Sequence, residues 1–188
     1  PGPRMSFGPA FRPDPRTAFR VVVAGGFLLM LAASMPGHIS SDSLIQLSQA
    51  RHHVRDVGSS FAPAVYGAIL GLFDRIVPGP GLYLVASGAL MFASLAGLRT
   101  LRPGMSWLGP VVALAVVLSP ALLIYQGVVW KDVLFANLAV AGFVLLAHAA
   151  GRWTHPGRPW LILAAVVVLL ALATQVRQNG VVTAGVAA

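Results

Sequence analysis

The chain has 188 residues, 57% of them hydrophobic and only 10% charged, with a mean hydropathy of +0.80. Soluble domains carry about 25% charged residues, so the composition excludes a soluble globular domain and a disordered chain, and the absence of Cys excludes a disulfide scaffold. Thirteen Lys and Arg face five acids, all of them Asp, for a formal charge of +8; this is a polytopic membrane protein in which each carboxylate is informative.

Residues 1–16 are rich in Pro, Gly and Arg and read as a cytoplasmic tail. The first span is 17–36, with Arg20 near its start. Its long apolar core and the Met35-Pro36-Gly37-His38 that follows argue for a retained anchor over a cleaved signal peptide. A loop, 37–80, comes next. Within it, 43–56 reads as an amphipathic helix lying in the interface, with Leu44, Leu47 and Val54 at helical spacing and Ser43 followed by Gln46 as a capping box. The apolar stretch 61–77 is short, and Asp74 and Arg75 lie near its end. Further spans are 81–98, 107–127, 131–150 and 159–176, and another apolar run begins at 180.

Charge parity decides whether 61–77 crosses. Lys and Arg concentrate in cytoplasmic loops. The tail carries Arg4, Arg12 and Arg16, loop 99–106 carries Arg99 and Arg102, and loop 151–158 carries Arg152 and Arg158. All three fall inside only if 61–77 stays on the outer surface. Three polar clusters then share the outer face: Ser40-Ser41-Asp42-Ser43, Trp130-Lys131-Asp132 and Arg177-Gln178-Asn179.

Asp42, just ahead of the expected helix cap, suits an ionised carboxylate able to act as general base toward a hydroxyl. Lys131, the sole Lys, and Asp132 sit at a span mouth, where ionisable groups mark function. Arg177 at an outer boundary runs against the positive-inside tendency and suits a phosphate. Each has a plainer alternative: a helix-starting Asp, a local ion pair at the interface, a snorkelling Arg. Asn179 and His38 are further contact candidates. Asp74 beside Arg75 reads as a surface pair, while Arg51, His52 and Arg55 suit lipid phosphates. His52 and His53, adjacent, point about 100° apart on a helix, so no metal site is expected from them. No Gly-rich phosphate loop, nucleophile elbow or nucleotide fingerprint occurs. The basic balance follows from membrane orientation, so nucleic-acid binding is not expected.

In their order, the stretches Pro36-Gly37-His38-Ile39-Ser40-Ser41-Asp42-Ser43 with Gln46, Ala62-Pro63-Ala64-Val65-Tyr66, Trp130-Lys131-Asp132-Val133-Leu134-Phe135 and Arg177-Gln178-Asn179-Gly180 resemble the N-terminal half of GT-C-fold membrane glycosyltransferases, in a bacterial branch. The likeness covers about 17–188 and departs at Ala62, where relatives often carry His. The chain reads as the N-terminal part of a larger membrane protein, without the remaining spans and any C-terminal outer domain. The resemblance implies an all-α, polytopic transmembrane bundle with juxtamembrane helices in the first outer loop. It implies transfer of a sugar from a polyprenyl-phosphate donor to an acceptor hydroxyl on the extracytoplasmic side of the bacterial inner membrane. Asp42 maps to the catalytic base and Asp132 to the second acidic residue, which in some relatives contacts a divalent metal or the acceptor. Lys131 and Arg177 would take the phosphate charge. A multi-pass transporter or flippase of an amphiphilic or anionic substrate is the rival reading, and it expects broken helices with charges near the midplane.

Overall fold

The computed structural model describes residues 14–52, 64–101, 104–153, 159–177 and 185. Asp14 starts helix α1 (Pro15–Ser34): its carboxylate accepts from the Arg16 N–H at 3.2 Å, and Pro15 takes the first helical position, where a missing N–H costs nothing. The helix stops ahead of Pro36 and Gly37. Gly37 has φ of +113°, open to glycine, and a Cβ there would also press on Val129 Cγ2 at 3.1 Å. This turn delivers strand β1 (His38–Ile39), then α2 (Ser41–His52) and α3 (Ala64–Ile76). Helix α4 (Gly81–Leu98) closes in a 3-10 turn, Arg99–Leu101. Helix α5 (Leu108–Val117) is followed by the single turn α6 (Pro120–Leu123), a 3-10 turn Tyr125–Gly127, and strand β2 (Val128–Val129). Helices α7 (Lys131–Gly151) and α8 (Pro159–Val176) complete an all-α bundle carrying one short parallel ladder.

By length and composition α1, α4 with its 3-10 turn, and α7 qualify to cross a membrane, and the α5–α6 pair makes a fourth if it crosses as one. Helix α7, at 21 residues, is about 31 Å long, the thickness of a bilayer's hydrocarbon core. The apolar run Trp160–Val176 is shorter and lies along α7. In lipid, helices associate through close packing at small residues. Gly26 admits Val117, Gly88 admits Met30 and Gly142 admits Leu170, each where a Cβ would overlap its neighbour.

Helices α1, α5 and α8 run toward one end of the bundle, and α4 and α7 run away from it. At that end β1 pairs with β2, Gly37 lies near Pro80 at the head of α4, and Arg177 reaches Asp132. At the other end Thr100 Oγ1 meets His148 Nε2 at 2.6 Å. Both ends of α3 stay at the first end. Tyr66, near its start, bonds Ser43, and Phe73, near its finish, meets the ring of Tyr83, third residue of α4, edge-on. A crossing would carry one of these contacts about 30 Å away.

Three expectations change. The run 107–127 is not one helix but is bent by 54° between α5 and the turns after it. The cause is local: Ser119 caps α6 by accepting the Leu122 N–H, and Pro120, lacking an N–H, cannot continue the ladder of α5. The second change is α2. Its cap is Ser40, whose Oγ accepts the Ser43 N–H at 3.3 Å, so Asp42 lies inside the first turn rather than ahead of it. The buried face carries Ser43, Gln46 and Leu47, while Leu44 is 57% exposed. Third, Asp74 pairs with Arg51, not Arg75: its carboxylate takes Arg51 Nη2 at 2.6 Å and Nε at 2.8 Å, joining α2 to α3.

Candidate functional site

The first end is assembled around the ladder. Pairing His38 with Val128 and Ile39 with Val129 sets the N-terminus of α2 beside that of α7. The buried Val129 carbonyl accepts from Ser43 Oγ at 2.7 Å and Ser40 Oγ at 3.3 Å, so the hydroxyls that begin α2 also lock it to the chain entering α7. Ser43 Oγ shares a further hydrogen bond with Tyr66 Oη at 3.0 Å, which brings α3 in. Burial pushes the Tyr66 phenol up from its ordinary value, so it stays protonated at neutral pH. Trp130, in an extended conformation, caps α7 without a side-chain hydrogen bond, and Lys131 and Asp132 occupy the first turn.

Two ion pairs meet there. Lys131 Nζ lies 3.8 Å from Asp42 Oδ2, and Arg177 Nε lies 3.3 Å from Asp132 Oδ1. The Arg177 guanidinium is 6.0 Å from the centre of the Phe135 ring, one helical turn below Asp132. The carboxylates differ in setting: the Asp42 side chain is 59% exposed, that of Asp132 24%. Both sit in the first turn of a helix, where the macrodipole favours an anion. Asp132 Oδ1 is buried and faces Arg177 without an aligned hydrogen bond, and Gln46 Oε1 is likewise buried without one. Buried polar atoms are ordinarily paired, so this end has hydrogen-bonding capacity to spare.

No protein-family model, curated protein or solved structure matches the chain. The geometry of the site therefore carries the functional argument.

Asp42, Lys131, Asp132 and Arg177 come together as two contacting pairs on neighbouring residues of α7. His38 lies at the ladder, exposed, with its ring beside Gly127. Asn179 lies outside the described residues, as do His53, Val54, Arg55, Asp56 and His155. Arg51 is engaged by Asp74, and His52 Nδ1 contacts the Ser48 carbonyl at 2.9 Å. Among the described residues no three of His, Cys, Asp or Glu cluster as metal ligands. The residue overlooked in the sequence is Tyr83; Ser40, Ser43 and Tyr66 were named there only within a polar cluster and a motif stretch, without the contacts that join them.

Deeper in the bundle is a second polar cluster. Gln126 Nε2 donates to Asn137 Oδ1 at 2.7 Å, and Asn137 Nδ2 donates to Gln126 Oε1 at 3.0 Å and to Ser87 Oγ and O at 2.9 Å. All three residues are buried. They join the turn after α6 to α4 and α7, directly above the ladder in sequence. Gly127 beside them has no room for a side chain, because a Cβ would overlap the Ser34 hydroxyl.

Proposed function

We propose that the chain forms the catalytic end of a GT-C-like membrane glycosyltransferase, acting on a polyprenyl-phosphate-linked sugar at the extracytoplasmic face of a bacterial inner membrane. The observation that carries this reading is the meeting of Asp42–Lys131 and Asp132–Arg177 at one end of a membrane bundle. Asp42, the more exposed carboxylate, takes the proton of the acceptor hydroxyl. The acceptor oxygen bonds to the sugar's anomeric carbon, and the bond from that carbon to the phosphate oxygen breaks. The lipid phosphate leaves with the electron pair. Lys131 and Arg177 neutralise it, and the uncapped N–H groups at the start of α7 suit the same anion. Asp132 holds Arg177 in place through Oδ1, and its carboxylate suits an acceptor hydroxyl or a divalent cation. The isoprenoid tail lies in the bilayer, which is why such chemistry belongs at a span mouth.

The test is release of polyprenyl phosphate from a polyprenyl-phosphate sugar by membranes bearing the protein. Replacing a general base costs about 10²–10⁴-fold in rate, so Asp42→Asn should lower release by that factor. Undiminished release removes the proposed base.

A transporter or flippase draws on one observation, the 54° break between α5 and α6. Broken spans in transporters carry ions or substrate at their exposed backbone. Here the polar group at the break is the neutral Ser119, which donates to the Val116 carbonyl and caps α6. Accumulation of the donor lipid in sealed vesicles without glycosidic bond formation would favour transport.

A further inference from the structure

At the end opposite the carboxylates, α1, α4 and α5 enclose an apolar cavity of about 370 Å³. That is the size range of small-molecule pockets, about 300–1,000 Å³. Its floor is Phe19, Val23 and Val117, all buried. Its outer wall includes Leu108 and Val112, which are 68% and 50% exposed, so the cavity opens on the flank of the bundle where acyl chains lie. Among the described residues, Arg99, in the 3-10 turn after α4, is the one cation in the lining. Its side chain has no hydrogen bond or ion pair with any described residue. Arg20 and Arg152 belong to the same end, and the acid there, Asp14, is engaged in capping α1.

We propose that this cavity is a binding site for an anionic phospholipid of the surrounding bilayer, one acyl chain filling it and the phosphate held by Arg99. The chemistry on each side matches. An apolar cavity opening into hydrocarbon fills with hydrocarbon, since its lining offers water no partners. A guanidinium at the water boundary takes two oxygens of a phosphate in parallel hydrogen bonds. A neutral lipid would satisfy the apolar lining and leave a net positive end; an anionic one satisfies both. The site is remote from Asp42 and Asp132 and does not rest on the glycosyltransferase reading.

Trp107, between the lining residue Ser106 and Leu108, supplies the probe. The 188-residue chain carrying Trp130→Phe, Trp153→Phe and Trp160→Phe, which leaves Trp107 as its one Trp, is placed in zwitterionic nanodiscs and titrated with brominated-chain lipids. Brominated phosphatidylglycerol should quench Trp107 at about fivefold lower mole fraction than brominated phosphatidylcholine, the factor one cation contributes near an anionic headgroup. Arg99→Gln should make the two titrations coincide, while Arg152→Gln, a charge removed at the same end but outside the cavity, should keep the preference. Equal titrations for the parent protein overturn the proposal, as does loss of the preference in Arg152→Gln to the same extent. So does a Trp107 that neither lipid quenches, because the cavity would then be filled by protein. A second measurement, headgroup analysis of lipid retained through purification, should show anionic lipid lost from Arg99→Gln and kept in Arg152→Gln.

Discussion

Two polar clusters in this bundle treat their hydrogen bonds in opposite ways. In the buried clasp, Gln126 and Asn137 exchange both amide bonds at 2.7 and 3.0 Å, and the second Asn137 hydrogen goes to Ser87. At the ladder end the pairs are looser, 3.8 and 3.3 Å, and Asp132 Oδ1 and Gln46 Oε1 have no aligned hydrogen bond. A closed network rigidifies, while an open one keeps capacity for something that arrives. On the function proposed above, the clasp serves architecture and the ladder end ligand chemistry, and that contrast can be broken from either side.

The largest expected effect is on chemistry. Asp132→Asn preserves shape and removes the charge that holds Arg177. It should lower polyprenyl phosphate release at least tenfold while the melting temperature stays close to that of the parent. A large fall in melting temperature would instead make Asp132 a structural group and erase the distinction between the clusters.

Next comes the clasp. Asn137→Ala leaves the Gln126 amide buried without its partner, an omission worth about 1–3 kcal/mol for each stranded group. Chemical denaturation in mild detergent should show a loss of that size. The double variant Gln126→Leu with Asn137→Leu removes both halves and should recover most of it, because losing a whole matched pair costs far less than losing half. Failure of the double variant to recover would mean that the amides do more than satisfy each other.

Much of this could be read beforehand, for reasons that differ by residue. Three of the five expected spans, at α1, α4 and α7, follow from hydropathy because bilayer thickness sets a minimum apolar length, whereas 107–127 is broken and Trp160–Val176 falls short of that length. Arg99 and Arg152, on which the parity argument rests, both lie at the end opposite Asp42, and both ends of α3 stay at the Asp42 end. Four charged site residues stand out against so apolar a chain. The break in 107–127 was signalled by Ser119-Pro120, a cap followed by a residue barred from helix interiors, but uniform hydropathy masked it. The inward face of α2 was not legible. Spacing alone groups Leu44 with Leu47 on one face turned to the interface, yet Leu47 is buried with Ser43, which the carbonyl of Val129 and the phenol of Tyr66 draw inward, and these partners are 86 and 23 residues away in sequence. The clasp was equally hidden, since a neutral Asn in an apolar helix becomes informative only when its partner is known.

The smallest expected effect concerns Arg51 and Asp74, which tie α2 to α3 beside the ladder. The Arg51 guanidinium, helped by the Gly79 N–H, holds the Asp74 carboxyl at about 2, below its ordinary value of 3.8. A carboxyl held down in the folded state stabilises that state fully above its ordinary value. The contribution is lost as pH falls from about 4 toward about 2, when the folded form must also take up the proton. Melting temperature plotted against pH should therefore decline through this window. In Asp74→Asn the part of the decline due to this carboxyl should vanish. In Arg51→Gln the Gly79 contact remains, so the decline should be smaller and should end at a higher pH. Polyprenyl phosphate release at neutral pH should be nearly unchanged in both variants, because this pair braces α2 without touching Asp42. If either variant abolishes release at neutral pH while the bundle stays folded, the boundary drawn between bracing and chemistry at the ladder end is wrong.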